Sequence, residues 1–428
     1  MRVQHILAFA APICFVVAGC GSSPVTSISA VATESPSATP AAASCVANVA
    51  EVVGKAQTAA STSAELPAAL VSTLDAAAQA SFTQAAAPGA IVGVRTPEGT
   101  WTAAYGFADP ATQSPMTTDM HMRIGSVTKT FTGTLIMQLA QEGKLSLSDP
   151  IEKYYPSIPN GERITLEQLA NMTSGIASYY TEAFLEKYFG APETVFTPDQ
   201  LIAYGVSASP IFEPGAMFNY SNTNTILLGK VIETVTGQPV QDTLQKQIAG
   251  PLGLSDTTLP DVSPAIPQPH PQGYTLQGSS TPGTPLNATN WSPSFGWTAG
   301  GMISNLKDML TYNRALGTGQ GLVSPATQTQ RLNSFPSPAG YGIAIGCTDG
   351  WVGHTGELPG FNTTLYYDTT KDTSVVVLVN SDIASGDCTE SPTLTDTPTD
   401  IPCSSPATRV FVGLSEALGH KFQPLPAR

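Results

Sequence analysis

"RIGSVTKTFTGTLIMQLAQEGKL", Arg123–Leu145, is the stretch on which both the fold and the chemistry turn. Ser126 and Lys129 stand three residues apart near its start, so on a helix the hydroxyl and the amine share one face, a turn apart. With Ser126 at the helix N-terminus, its hydroxyl is held rigidly and its backbone N–H points free toward an oxyanion. The helix dipole and burial then lower the lysine pKa. A neutral lysine can take the serine proton, which is the activation a weak nucleophile needs, and the chemistry is acyl transfer. The pair is not specific alone: "SNLK" supplies a second one, Ser304 and Lys307, and either fits an ordinary solvated helix face.

Two later segments choose between them. "EPGAMFNYSNTNTILLGKVIETVTG" contains Tyr220-Ser221-Asn222, and "WVGHTGELPGF" contains His354-Thr355-Gly356. Ser-x-x-Lys, then Tyr-x-Asn, then His/Lys-Thr-Gly resembles the triple signature of the active-site serine penicillin-recognising enzymes. Ser304 has no Tyr-x-Asn between it and His354, which leaves Ser126 as the candidate nucleophile. The chain is similar to the serine β-lactamase-related family, which includes class C β-lactamases, D-alanyl-D-alanine carboxypeptidases and esterases. Further family-like stretches are "EGKLSLSDPIEKYYP", "ITLEQLANMTSGI", "PLGLSDT" and "GWTAGGMISNLKDM", and the likeness runs from about Gly89 to Leu418. The last stretch places Ser304 on an ordinary family helix.

The resemblance implies an α+β fold of the β-lactamase/transpeptidase type, an antiparallel sheet flanked by helices with a mainly helical insertion. It implies Ser126 as nucleophile, Lys129 as its proton acceptor and Tyr220 as the proton relay to the leaving group. A nearby cation, Lys129 with His354 as a second candidate, is expected to favour the Tyr220 phenolate or at least a strong hydrogen bond to it. Asn222 would bind the acyl side-chain amide, and His354, Thr355 and Gly356 would line the substrate site. The backbone N–H groups of Ser126 and Glu357 would form the oxyanion hole. Histidine stands where β-lactamases commonly have lysine, and near pKa 6.5 it carries only part of a charge at neutral pH. The activity so implied is that of a D-alanyl-D-alanine carboxypeptidase or β-lactamase-like hydrolase. An esterase of the same fold and a non-catalytic binding lipoprotein are the alternatives.

Around the motifs the chain divides by composition. "ILAFAAPICFVVA", Ile6–Ala18, suits a signal-peptide core and is too short to span a bilayer. "VAGC", Val17–Cys20, resembles a bacterial lipobox, so Cys20 is the expected lipidation site. Residues 1–20 are therefore read as a signal and the protein as extracytoplasmic, lipid-anchored to a bacterial membrane, or secreted if the lipobox is unused. Residues 21–65, rich in Ala, Ser, Thr and Pro, read as a flexible tether, and residues 66–428 as the catalytic domain. At its start, Leu66–Phe82 has helical spacing and Gly89–Phe107 reads as a hairpin turning at Pro97-Glu98-Gly99. At its end, "YGIAIGC", "WVGHTG", "NTTLYYD" and "SVVVLVNS" read as strands before a last helix. Strand-rich ends around a helical middle predict one mixed sheet built from both termini.

A net charge of −14 with no basic run excludes a nucleic-acid binder. Scattered histidines and no C-x-x-C pair predict neither metal nor cofactor, so the expected partner is a small-molecule or peptide substrate. Cys45, Cys347, Cys388 and Cys403 allow three pairings, with at least one disulfide expected among the last three.

Overall fold

The computed structural model describes residues 44–55, 64–335, 339–389 and 391–424. The signal, Cys20 and most of the tether lie outside the described residues. Eight strands form one sheet in the order Ser114–Pro115, Gly99–Asp109, Gly89–Thr96, Thr373–Val379, Phe361–Asp368, Trp351–Leu358, Gly346–Thr348, Ala339–Tyr341. Every pairing is antiparallel, so the sheet joins the two ends of the domain but is not mixed. The run "YGIAIGC" is not one strand. It splits into the short strands Ala339–Tyr341 and Gly346–Thr348, which pair with each other.

Alternation along the central strands explains the layers. Ala90, Val92 and Val94, with Val375, Val377 and Val379, face a core shared with the helices Ala68–Ala85 and Pro406–Ala417. Ile91, Val376 and Leu378 point the other way, toward the helix Leu306–Thr318 and the helical insertion. At the centre of that second core runs the helix Thr128–Gln141, buried from Thr128 to Leu139. Its sequence, TKTFTGTLIMQLAQ, looks too polar to be buried. The threonines solve this locally: Thr128, Thr130 and Thr134 each donate to a backbone carbonyl one turn back at 2.7 Å, and Thr132 donates to Thr298 O at 2.8 Å.

Residues 44–55 correct the tether reading. Val49–Gly54 is a helix capped by Asn48, Val52 is buried, and Cys45 is bonded to Cys347 beside the strand Trp351–Leu358. The second disulfide joins Cys388 and Cys403. Among the described residues no helix is long and apolar enough to cross a membrane.

Candidate active site

Ser126 sits in the 3-10 turn Gly125–Val127 that opens the central helix. Lys129 Nζ lies 3.0 Å from Ser126 Oγ and donates to the Ala299 carbonyl at 2.7 Å. The lysine is fully buried and in no ion pair among the described residues. Burial alone therefore pushes its pKa well below the ordinary value and favours the neutral amine.

The strand Trp351–Leu358 completes the site because half of one edge is open. Gly346–Thr348 covers this strand only over Trp351–Gly353, so His354–Leu358 presents that edge to the Ser126 turn. The approach is close enough to require glycine on both sides. Gly125 has φ +52°, and a Cβ there would lie 2.4 Å from the Glu357 nitrogen. One on Gly356 would lie 2.0 Å from the Ile124 carbonyl oxygen and 3.2 Å from the Ser126 nitrogen. The Ser126 and Glu357 N–H groups are thus brought together beside the serine hydroxyl, as an oxyanion hole requires.

Tyr220 precedes the helix Asn222–Thr236, and its hydroxyl is hydrogen-bonded to Ser126. Lys129 Nζ lies 4.9 Å from its ring centre. The phenolate expectation is not met: burial raises the Tyr220 pKa, outweighing the Ser126 bond that lowers it. Asn222 opens its helix, with Nδ2 3.4 Å from Ser178 Oγ. Thr355 and Glu357 are exposed, alternating with the buried His354, Gly356 and Leu358 along their strand.

His354 is also corrected. Its Nδ1 faces the Thr355 carbonyl at 2.5 Å, and a carbonyl can only accept, so Nδ1 carries the proton. Nε2 then accepts from the Tyr341 hydroxyl at 3.0 Å. Burial, with Lys129 nearby, lowers its pKa to about 3, so the ring is neutral where a partial charge was expected.

Ser304 is not on a helix. It occupies the two-residue strand Ile303–Ser304 and bonds to Thr257, far from any nucleophilic role. Among the described residues no cluster of His, Cys, Asp or Glu could hold a metal.

Sequence reasoning missed two contributors, the Ala299 carbonyl and Tyr341, whereas the aromatic run Tyr179, Tyr180, Phe184, Tyr188 and Phe189 was legible as either an apolar acyl-group site or helix core. The Ala299 carbonyl carries no side-chain signal. Tyr341 sits on an edge strand, its ring edge-on to both Tyr220 and His354. Tyr180, just before the helix Glu182–Gly190, stacks on Phe184 of that helix and is exposed near Glu357. Phe184 and Tyr188 of the same run are core.

The family described as Beta-lactamase matches residues 69–394, and the chain belongs to it. The chain is 30% identical over 309 residues to a D-aminopeptidase of Brucella anthropi, a match covering 68% of this chain and 56% of that enzyme. It thus spans little more than half of that relative's length. Among solved structures it resembles a D-stereospecific amidohydrolase from Streptomyces, at 32% identity and a TM-score of 0.67, covering 73% of this chain and 94% of that one. It also resembles the octameric penicillin-binding protein homologue from Pyrococcus abyssi at 26% identity and a TM-score of 0.65, covering 82% and 78%. The fold is that of the β-lactamase/transpeptidase type, and the protein is a serine hydrolase.

Proposed function

We propose that this hydrolase is an amidohydrolase that forms an acyl-enzyme on Ser126, acting on small amides or peptides of D-amino acids. The observation that carries the proposal is the meeting of Ser126 Oγ with a buried, unpaired lysine amine and the Tyr220 hydroxyl, under two convergent backbone N–H groups. Lys129 takes the serine proton as Oγ attacks the amide carbonyl, and the oxyanion forms between the Ser126 and Glu357 N–H groups. Tyr220, kept protonated by burial, passes its proton to the departing amine and is reprotonated through Lys129. Water then attacks the ester along the reverse proton path.

Amides are favoured over carboxylate-bearing D-alanyl peptides and β-lactams by the charge of the cleft. His354 is neutral, and the side chain following the third motif is the acidic Glu357, so neither offers a cation to a substrate carboxylate. Likeness to a D-stereospecific amidohydrolase and a D-aminopeptidase supports the same choice. The lipobox-like "VAGC" supports placement outside the cytoplasm, lipid-anchored at Cys20.

The test is intact mass and chromophore release on the full chain with D-phenylalanine p-nitroanilide, beside Ser126→Ala. A transient mass gain of one D-phenylalanyl group with p-nitroaniline release, on the wild type alone, is expected. Equal release by both proteins would refute Ser126 as nucleophile.

A further inference from the structure

We infer that Glu357 reads a free, protonated α-amine on the acyl group, so that the site takes aminoacyl donors and rejects N-acylated ones. This deepens, and rests on, the amidohydrolase reading above.

The geometry comes first. If the Glu357 N–H binds the oxyanion, the scissile carbonyl oxygen lies about 3 Å from it, and the α-amine is two bonds from the carbonyl carbon. The Glu357 side chain springs from that same residue, is exposed, and lies near Tyr180 and Asn362. The carboxylate is therefore fixed within reach of whatever the α-carbon carries on that side.

Its surroundings leave it without a counter-charge. Behind it stands Asp382, buried just after the strand Thr373–Val379, whose carboxylate is occupied by Gly360 N–H at 3.1 Å, Thr275 Oγ1 at 2.9 Å and Gln277 Nε2 at 2.5 Å. From the neighbouring strand Asn362 Nδ2 approaches Glu357 at 3.5 Å, too far for a strong bond. From the aromatic segment the neutral hydroxyl of Tyr180 faces it. Neither Glu357 nor Asp382 takes part in an ion pair among the described residues. Two carboxyls crowded without a cation resist ionising together: although the Glu357 side chain opens to solvent, the protein wall at its back and the neighbouring Asp382 hold its carboxyl above the ordinary carboxylate range. An arriving ammonium supplies the missing charge and expels the proton that Glu357 holds near neutral pH. A carboxylate or neutral acylamide cannot do this.

The experiment has two arms. In turnover by the full chain, kcat/KM for D-phenylalanine p-nitroanilide should exceed that for its N-acetyl derivative by about 100-fold, the scale of one charge-assisted hydrogen bond. In Glu357→Gln that ratio should collapse to within about 10-fold. A ratio unchanged by Glu357→Gln overturns the inference. In binding, D-phenylalaninamide is titrated into Ser126→Ala by calorimetry at pH 6, where its α-amine is already an ammonium, in buffers of different ionisation heat. Close to one proton should be released per ligand, and close to none in Ser126→Ala/Glu357→Gln. Failure of turnover with proton-releasing binding intact would sink the amidohydrolase reading and leave the amine site standing. Binding with no proton release, or with release unaffected by Glu357→Gln, overturns the amine site.

Discussion

Lys129→Met tests the electrostatic premise of the site directly. Methionine keeps the length and volume of the side chain without an amine, so packing around a fully buried position should survive. The Ala299 carbonyl loses its donor, at a cost of about 1–3 kcal/mol. Against this, wild type carries a pH-dependent penalty that the variant lacks. Because the folded pKa of Lys129 lies below the unfolded one, the unfolded chain holds the extra proton everywhere between the two. Wild-type stability attributable to this residue therefore rises with pH across that window, by about 1.36 kcal/mol per pH unit. From pH 7 to pH 9 the wild type should gain stability relative to Lys129→Met, by up to about 2.7 kcal/mol. For a domain of this size that is about 3 °C in Tm. Thermal unfolding of both proteins at pH 7, 8 and 9 reads the gap, and kcat/KM should fall 10²–10⁴-fold in the variant, on the order expected for a lost general base. A Tm difference constant over this range would show that Lys129 is charged in the folded state at neutral pH, and the proposed proton transfer from Ser126 would fail with it.

Gly356→Ala drives a methyl into the Ile124 carbonyl, so the strand must move away from the Ser126 turn; kcat should drop about 10²–10³-fold, as for a displaced oxyanion donor, while circular dichroism stays native. Tyr341→Phe leaves His354 Nε2 buried without its donor and should cost about 1–3 kcal/mol in urea unfolding, whereas His354→Gln/Tyr341→Phe should recover part of it. His354 is neutral in the fold down to about pH 3 but takes a proton near 6.5 when unfolded, so its contribution is present above 6.5 and lost as pH falls toward 3. Acid titration of His354→Gln should accordingly show a shallower loss over that range. Cys45→Ser/Cys347→Ser opens a loop of 302 residues and should destabilise more than Cys388→Ser/Cys403→Ser, which opens one of 15, by about 2.7 kcal/mol in the chain-entropy picture. Equal midpoints for the two double variants would refute that ordering.

The local order of the chain was legible because its signals are short-range. Helical spacing from Leu66, the Pro97-Glu98-Gly99 turn and the β-branched run near Val375 each specify an element without reference to the rest. Ser126, Lys129, Tyr220 and His354 could be picked out because three motifs occur in one order, and the fold does bring them together. Of their protonation states, only the lowered lysine pKa could be read in this way. A pKa depends on burial and on neighbours distant in sequence: Ala299 lies 170 residues from Lys129, and Tyr220 meets Ser126 only through packing. The neutral Lys129 was legible, but His354 was read as partly charged and Tyr220 as drawn toward its phenolate or a strong hydrogen bond, and a common desolvated core leaves both favouring their neutral forms. Likewise, the Ala- and Ser-rich stretch before residue 66 has the composition of a linker, yet Cys45 is held to a strand 302 residues away. Composition and period set what each segment could become. Which charges survive, which strand edge stays open for an oxyanion and which carboxyls share a field were settled only when burial changed the local dielectric and set distant groups side by side.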